Sequence, residues 1–195
     1  MLTDAERGEA VLVDAPHFVK EEIEPELERK QCSLVGLLLT HGHYDHMGGA
    51  ASIQKMEVPV WGHKDDRDLY EDPARMAPYA YPPGLELEAV HVDHWIDEGD
   101  SFELMGLNWK VRHTPGHCPG NVYFYVPQLE SVFVGDTLFA GGIGRWDLPG
   151  GDGELLQQMI KQRIYSLDEG VKVFPGHGPQ TTVGQEKATN PYVQG

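Results

Sequence analysis

This 195-residue sequence has little cysteine and little positive charge, and it lacks any long apolar run. Cysteine occurs only at Cys32 and Cys118, which argues against a disulfide scaffold and makes a reducing cytoplasm the expected location. No apolar stretch is long enough to cross a bilayer, and Met1-Leu2-Thr3-Asp4 does not open a signal peptide. Neither a membrane nor an export route is therefore expected. Lys and Arg number 15 against 31 Asp and Glu, a formal charge of −16. The basic residues are scattered and form no stripe, so a nucleic-acid partner is not expected. Glu21-Glu22 and Asp65-Asp66-Arg67-Asp68 read as solvated surface. Repeats, low-complexity blocks and long linkers are also missing.

What the sequence does hold is a globular core and histidine. Hydrophobic residues make up 40%, enough for one packed domain spanning 1–195 rather than a disordered chain. The ten histidines supply the side chain that most often ligates transition metals.

Periodicity divides the chain into alternating elements. Ala10 to Val13 reads as a short strand ending in Asp14, and Phe18 to Arg29 as a helix. Leu34 to Thr40 is continuously apolar, as a strand covered on both faces would be. A helix is predicted from Asp45 to Met56, a strand at Val58 to Trp61 and a helix after Gly62. Asp72 to Gly84, with four prolines, reads as a surface loop. Strands are predicted at Leu85 to Val92, Ser101 to Leu104, Leu107 to His113, Val122 to Val126 and Ser131 to Val134. A hairpin turn is expected at Met105-Gly106-Leu107-Asn108. Glu154 to Ser166 has helical spacing, and Val171 to Phe174 is the last strand. This order predicts α/β layers around two sheets rather than one doubly wound sheet.

The chemistry concentrates at strand ends. His41-Gly42-His43-Tyr44-Asp45-His46 follows the apolar strand. In extended backbone, residues two apart point the same way, so His41 and His43 can grip one ion. Asp45 and His46 follow the turn and can face a second. Imidazole and carboxylate suit zinc, iron or manganese, and the lack of thiolates disfavours a closed structural zinc site. Three more strand ends carry a candidate ligand among glycines: Thr114-Pro115-Gly116-His117, Gly135-Asp136-Thr137 and Phe174-Pro175-Gly176-His177-Gly178. Glycine there allows a sharp turn close to a ligand.

With these segments the sequence resembles the metallo-β-lactamase superfamily, whose five signature segments match in order at Asp14, His41 to His46, His117, Asp136 and His177. The resemblance implies a four-layer αβ/βα sandwich. It implies that His41, His43 and His117 bind a first divalent ion, and that Asp45, His46 and His177 bind a second. Asp136 would bridge both, and Asp14 would orient a ligand histidine. Zinc is the expected metal in both places, with iron or manganese as alternatives.

Gly135-Asp136-Thr137-Leu138-Phe139 and Gly142-Ile143-Gly144-Arg145 resemble the glyoxalase II (hydroxyacylglutathione hydrolase) group. The tail from Pro175 through Gly184-Gln185-Glu186 to Thr189-Asn190-Pro191 resembles its compact single-domain bacterial branch. That implies a thioesterase acting on S-D-lactoylglutathione or a similar small-molecule thioester. Asp45 and Asp136 would be catalytic, and a hydroxide bridging the two metals would attack. Arg145 falls where the longer enzymes hold a glutathione carboxylate.

Several positions depart from that pattern. Eighteen residues follow His177, so the C-terminal helical substrate domain is expected to be absent. Asp147 replaces a tyrosine, and Arg145-Trp146-Asp147 resembles the Gly-Arg-Thr-Asp segment of persulfide dioxygenases, which use a single iron. Ala15-Pro16 replaces the usual Pro-Gly. The alternatives carried forward are thus a mononuclear iron dioxygenase and, from another class, a metal-binding protein without turnover.

His113 and Cys118 beside the site read as structural, and His17, His63, His91 and His94 as surface or satisfied polar residues. Trp146 is a candidate pocket residue. Finally, Asp4 to Glu9 reads as a polar turn, so the usual first N-terminal strand is expected to be missing. Either the natural start would then lie upstream of Met1, or another chain or a rearranged terminus would cover the exposed edge at Ala10 to Val13, where the isolated chain is expected to self-associate.

Overall fold

The computed structural model describes residues 1–76, 82 and 84–195. The backbone falls into two compact units, one comprising Met1–Ile96 with Glu103–Leu107, the other Asp97–Phe102 with Asn108–Gly195.

The first unit is a five-stranded sheet in the order β1 (Leu2–Asp4), β2 (Glu9–Val13), β3 (Ser33–Leu38), β4 (Val60–His63), β5 (His94–Ile96). β1 and β2 are antiparallel, and every later pair is parallel. Helix α1 (Val19–Lys30) makes the crossover from β2 to β3. Its buried residues Val19, Ile23 and Leu27 recur every fourth position, so one apolar stripe faces the sheet. Leu37, Leu38 and Leu39 are completely buried, each worth about 1.5–3 kcal/mol of apolar transfer. Within β3, a Cβ added to Gly36 would come within 2.6 Å of Leu104 Cδ2 and 3.0 Å of Trp61 Cζ3. That position has no room for a side chain.

The first strand expected to be missing is present. Leu2, Thr3 and Asp4 pair with Val11, Ala10 and Glu9. Asp4 to Glu9 is indeed a polar turn, but it is the turn of this hairpin. Asp4 Oδ1 accepts the Glu6 and Arg7 amides at 3.0 and 3.1 Å, and Gly8 takes the left-handed φ of 66° that closes it. Three residues suffice for the outer arm, too few for periodicity to register. β2 is therefore paired on both sides, and the sheet edge is β1.

Two other elements differ from the expected ones. The helix predicted from Asp45 to Met56 is two short ones, α2 (Tyr44–Met47) and α3 (Ala50–Gln54). They are broken at Gly48-Gly49, where a Cβ on Gly49 would overlap the Pro16 carbonyl. No strand forms over Leu85 to Val92. The main chain of His91 bonds instead to the Gln54 side chain, whose Nε2 donates to its carbonyl at 2.5 Å and whose Oε1 accepts its amide at 3.1 Å. The predicted loop at Asp72 to Gly84 lies largely outside the described residues; its start is a 3₁₀ turn, Pro73–Met76. After β4 the helix is a 3₁₀ turn, Lys64–Asp66, running into α4 (Arg67–Glu71).

The second sheet, most of whose residues belong to the second unit, runs β13 (Thr181–Thr182), β12 (Lys172–Pro175), β9 (Ser131–Gly135), β8 (Val122–Val126), β7 (Leu107–His113), β6 (Ser101–Leu104). β12 and β9 are parallel, whereas β13–β12, β9–β8 and β8–β7 are antiparallel. The predicted turn before β7 has Met105 and Gly106 at φ 55° and 65°, the left-handed pair of a tight hairpin. A small hairpin, β10 (Leu138–Phe139) with β11 (Gly142–Ile143), follows β9.

Helix α5 (Gly153–Met159) is capped by Asp152, which accepts the Leu155 amide at 3.0 Å. It then widens into a π turn, Ile160–Ile164, while Leu156, Ile160 and Ile164 stay fully buried in the core of this unit. Helix α6 (Val183–Thr189) closes the fold. No helix among the described residues is long and apolar enough to cross a membrane.

Candidate metal centre

In the first unit the ligand segment is assembled where β3 ends. His43 lies in extended backbone, with φ and ψ of −71° and 149°, and α2 begins directly after it. The Asp45 and His46 side chains therefore leave from the first helical turn. The rings of His41 and His43 are 4.8 Å apart between centroids, and those of His41 and His46 are 4.0 Å apart. All three imidazoles are buried, and Asp45 is partly exposed. His46 Nε2 lies 4.0 Å from Asp45 Oδ2.

Asp14 is the keystone of this half. It sits at φ 57° just after β2, a left-handed conformation that aspartate tolerates better than most residues. Its Oδ2 accepts from His46 Nδ1 at 2.8 Å and from the Thr40 hydroxyl at 2.8 Å. Its Oδ1 accepts the Thr40 amide at 2.7 Å. The Thr40 hydroxyl oxygen in turn lies 3.1 Å from His41 Nδ1. Because the carboxylate can only accept, the Thr40 proton is drawn to Asp14 and the hydroxyl oxygen is left to accept from His41 Nδ1. One carboxylate thus sets two rings, His46 directly and His41 through Thr40. In each neutral ring the lone pair falls on Nε2.

A second carboxylate, Asp66, is buried and accepts the Gly42 amide at 2.8 Å. A Cβ on Gly42 would come within 2.7 Å of Leu69 Cβ, so only glycine fits between the two histidines.

The second unit collects the other three predicted ligands. Gly116, at φ 126°, turns the chain out of β7 into His117, and its carbonyl accepts the Asp152 amide at 2.7 Å. Asp136 follows β9 after Gly135 at φ 51°. His177 follows β12, and the Gly176 amide donates to the Gly135 carbonyl at 2.8 Å. Asp136 Oδ2 lies 3.7 Å from His117 Nε2 and 3.5 Å from His177 Nε2. A single carboxylate oxygen is thus nearly equidistant from two imidazole nitrogens. His117 is buried, whereas the His177 side chain is 52% exposed and meets the Phe139 ring edge-on at 5.9 Å.

His117 Nδ1 donates to the Arg145 carbonyl at 2.7 Å, which again leaves Nε2 as the ligating atom. The chain can come this close because residue 144 is glycine: a Cβ there would overlap the Asp136 carbonyl. The Arg145 guanidinium is exposed and forms a two-point contact with Asp147, Nε to Oδ1 and Nη2 to Oδ2, each at 2.8 Å. This contact holds the Asp147 carboxyl down to about 2, with the Arg145 hydrogen bond as its largest cause. Trp146 between them is 42% exposed, and its indole lies over Gly153.

The donor chemistry in both units fits divalent metal ions. Imidazoles whose Nδ1 is engaged by an oxygen acceptor present Nε2, and carboxylate oxygens of Asp45 and Asp136 stand within 4.0 Å of such nitrogens. Among the predicted residues, Asp14, His41, His43, Asp45 and His46 come together in the first unit. His117, Asp136, His177 and Arg145 come together in the second.

Residues with no sequence signal of their own complete these arrangements. Besides Thr40 and Asp66, a fully buried node lies beneath the second set. Asn121 Nδ2 donates to the Thr114 and Thr137 hydroxyl oxygens at 3.0 and 2.7 Å, which links the ends of β7 and β9. Thr114 and Thr137 stand inside the ligand motifs, so that adjacency was available; Asn121 offered nothing. Of the residues read as structural, His113 Nε2 donates to the Pro119 carbonyl at 2.6 Å. Cys118 is fully buried. His94, expected to be a surface or satisfied polar residue, is exposed and stacks on Trp61 at 4.4 Å.

The family model described as metallo-beta-lactamase superfamily matches residues 4–177. The chain is 36% identical over 197 residues to the hydroxyacylglutathione hydrolase GloC of Haemophilus influenzae, covering 99% of this chain and 91% of that protein. Among solved structures it is similar to the BLEG-1 B3 metallo-beta-lactamase, with a TM-score of 0.90, 36% identity, and coverage of 100% and 92% of the two chains. It is also similar to TTHA1623 in a di-iron-bound form, with a TM-score of 0.77, 38% identity, and coverage of 94% and 89%. These overlaps establish the metallo-β-lactamase fold, an α/β sandwich, that the sequence resemblance implied.

Proposed function

Because this chain belongs to the metallo-beta-lactamase superfamily of metal-dependent hydrolases, we propose that residues 1–195 act as one dinuclear thioesterase domain whose substrate is a small acyl thioester of the S-D-lactoylglutathione type. The observation that carries this reading is the Arg145 loop. The same residue orients His117 with its carbonyl and offers a guanidinium to solvent. A relative 36% identical along nearly its whole length bears the name hydroxyacylglutathione hydrolase.

In this proposal His41, His43 and His117 hold one ion, Asp45, His46 and His177 hold the other, and Asp136 is shared. Zinc is the proposed metal, with iron as the alternative. Two such ions, when bound, supply Lewis acidity that polarises the thioester carbonyl and makes water acidic enough to attack near neutrality.

The chain's own residues do the rest. Asp14 and the Arg145 carbonyl lock His46 and His117 as Nε2 ligands before substrate arrives, so no reorganisation is needed during the reaction. Asp45, more exposed than Asp14 or Asp136, accepts a hydrogen bond from the attacking water and aims it at the carbonyl carbon. The new C–O bond forms as the C–S bond breaks, and the proton released by the water leaves with the thiol. Arg145 draws in a substrate carboxylate on the guanidinium edge that Asp147 does not occupy. Steady-state hydrolysis of S-D-lactoylglutathione tests the reading. Oxygen uptake on glutathione persulfide without thioester cleavage would replace it with the dioxygenase.

A further inference from the structure

The tail motif Gly184-Gln185-Glu186 through Asn190 has no part in the chemistry above, yet it carries a buried acid. Glu186 lies on α6 and is 2% exposed. Its Oε1 accepts from the Thr181 hydroxyl at 2.6 Å, and its Oε2 accepts from the Gly141 amide at 2.8 Å and from Asn190 Nδ2 at 2.9 Å. Burying a carboxylate costs heavily unless it is fully hydrogen-bonded, and all three of these partners are donors.

One of them is main chain from another element. Gly141 sits at φ 70° in the tip of the β10–β11 hairpin, four residues before Arg145. Asn190 reaches the same tip, its Nδ2 donating to the Gly142 carbonyl at 3.0 Å. The orientation of that amide is settled by its other end, because Asn190 Oδ1 accepts the Tyr192 and Val193 amides at 2.9 and 3.3 Å.

The loop from Gly141 to Asp147 is thus fixed at two places. Glu186 and Asn190 hold its start, and His117 Nδ1 holds the Arg145 carbonyl. Between them, Gly144 lies too close to the Asp136 carbonyl for any side chain. Slack at the first anchor would be transmitted to Arg145 through only three intervening residues.

We propose that Glu186 is a positioning residue: by fixing the Gly141-Gly142 tip it sets the path of the loop that presents Arg145, and so sets affinity for anionic acyl donors. This rests on the thioesterase reading for its kinetic consequence, but not for its structural one.

The test compares the metal-loaded full chain with Glu186→Gln, which keeps the shape and removes one acceptor. Hydrogen exchange across residues 139–147 should accelerate by roughly tenfold while exchange in α1 and β3 is unchanged. KM for S-D-lactoylglutathione should rise about three- to tenfold, with kcat within about twofold and metal content unaltered. Should Glu186→Gln fail to fold, Asn190→Ala removes the contact to Gly142 and should move exchange and KM the same way. Unchanged loop exchange, or a fall in kcat with KM constant, would overturn the proposal. A wild-type chain that cleaves no thioester would defeat the functional reading alone, and loop exchange would still decide the role of Glu186.

Discussion

His117 Nδ1 donates to the backbone carbonyl of Arg145 at 2.7 Å, so a proposed metal ligand is oriented by main chain from the residue proposed to read the substrate. Truncating the side chain at 145 leaves that carbonyl in place. Arg145→Ala should therefore keep its full metal content while KM for an anionic thioester rises about tenfold and kcat falls less than threefold. Elemental analysis beside steady-state kinetics checks both halves. Loss of metal in this variant would show that the side chain, and not the carbonyl, holds the histidine.

Asp14 touches no proposed substrate position but directs His46 and, through Thr40, His41. Asp14→Ala should weaken metal binding by roughly 10–100-fold, the usual scale for losing a partner of a ligating histidine. Thr40→Val, which leaves the direct contact to His46 intact, should cost less. Competition with a chromophoric chelator ranks the two variants, and the reverse order would refute the relay.

Metal stoichiometry separates the readings of the site. Two divalent ions per chain are expected. His117→Ala should lower occupancy toward one, and Asp136→Ala should lower both, since its carboxylate stands beside His117 and His177 alike. One iron per chain with oxygen uptake would point to the dioxygenase instead.

Tyr123 gives a pH prediction away from the metals. Burial pushes its phenol from 10.0 up to about 12, and its hydroxyl donates to the Arg163 carbonyl at 3.1 Å. The unfolded chain ionises this group first. Its contribution to stability is therefore complete below pH 10.0 and is lost as pH rises through about 12. Denaturant melts across that window should show a fall in stability that Tyr123→Phe reduces. At neutral pH the same variant should cost about 1 kcal/mol for the lost hydrogen bond. An identical alkaline profile in the variant would assign the loss to other groups.

The short strands of the second unit were legible because they alternate or run apolar between turn residues: Ser101–Leu104, Leu107–His113 and Val122–Val126 have the bounds periodicity predicts. Elements whose backbone bonds go to side chains were not. Leu85 to Val92 has strand composition, yet Gln54, far away in sequence, takes the His91 main chain. β1 escaped notice for a different reason, since three residues are too few for a period. Sequence by itself determined the chemical inventory: which histidines and aspartates end strands, and which glycines let the chain turn beside them. Side-chain type and local spacing carry that information. Only the tertiary structure decided which acceptor the Nδ1 atoms of His46 and His117 face, that Asp147 occupies one edge of Arg145, and that Glu186 holds the Gly141 tip from 45 residues away. Those contacts depend on packing between distant segments, and no local pattern encodes them.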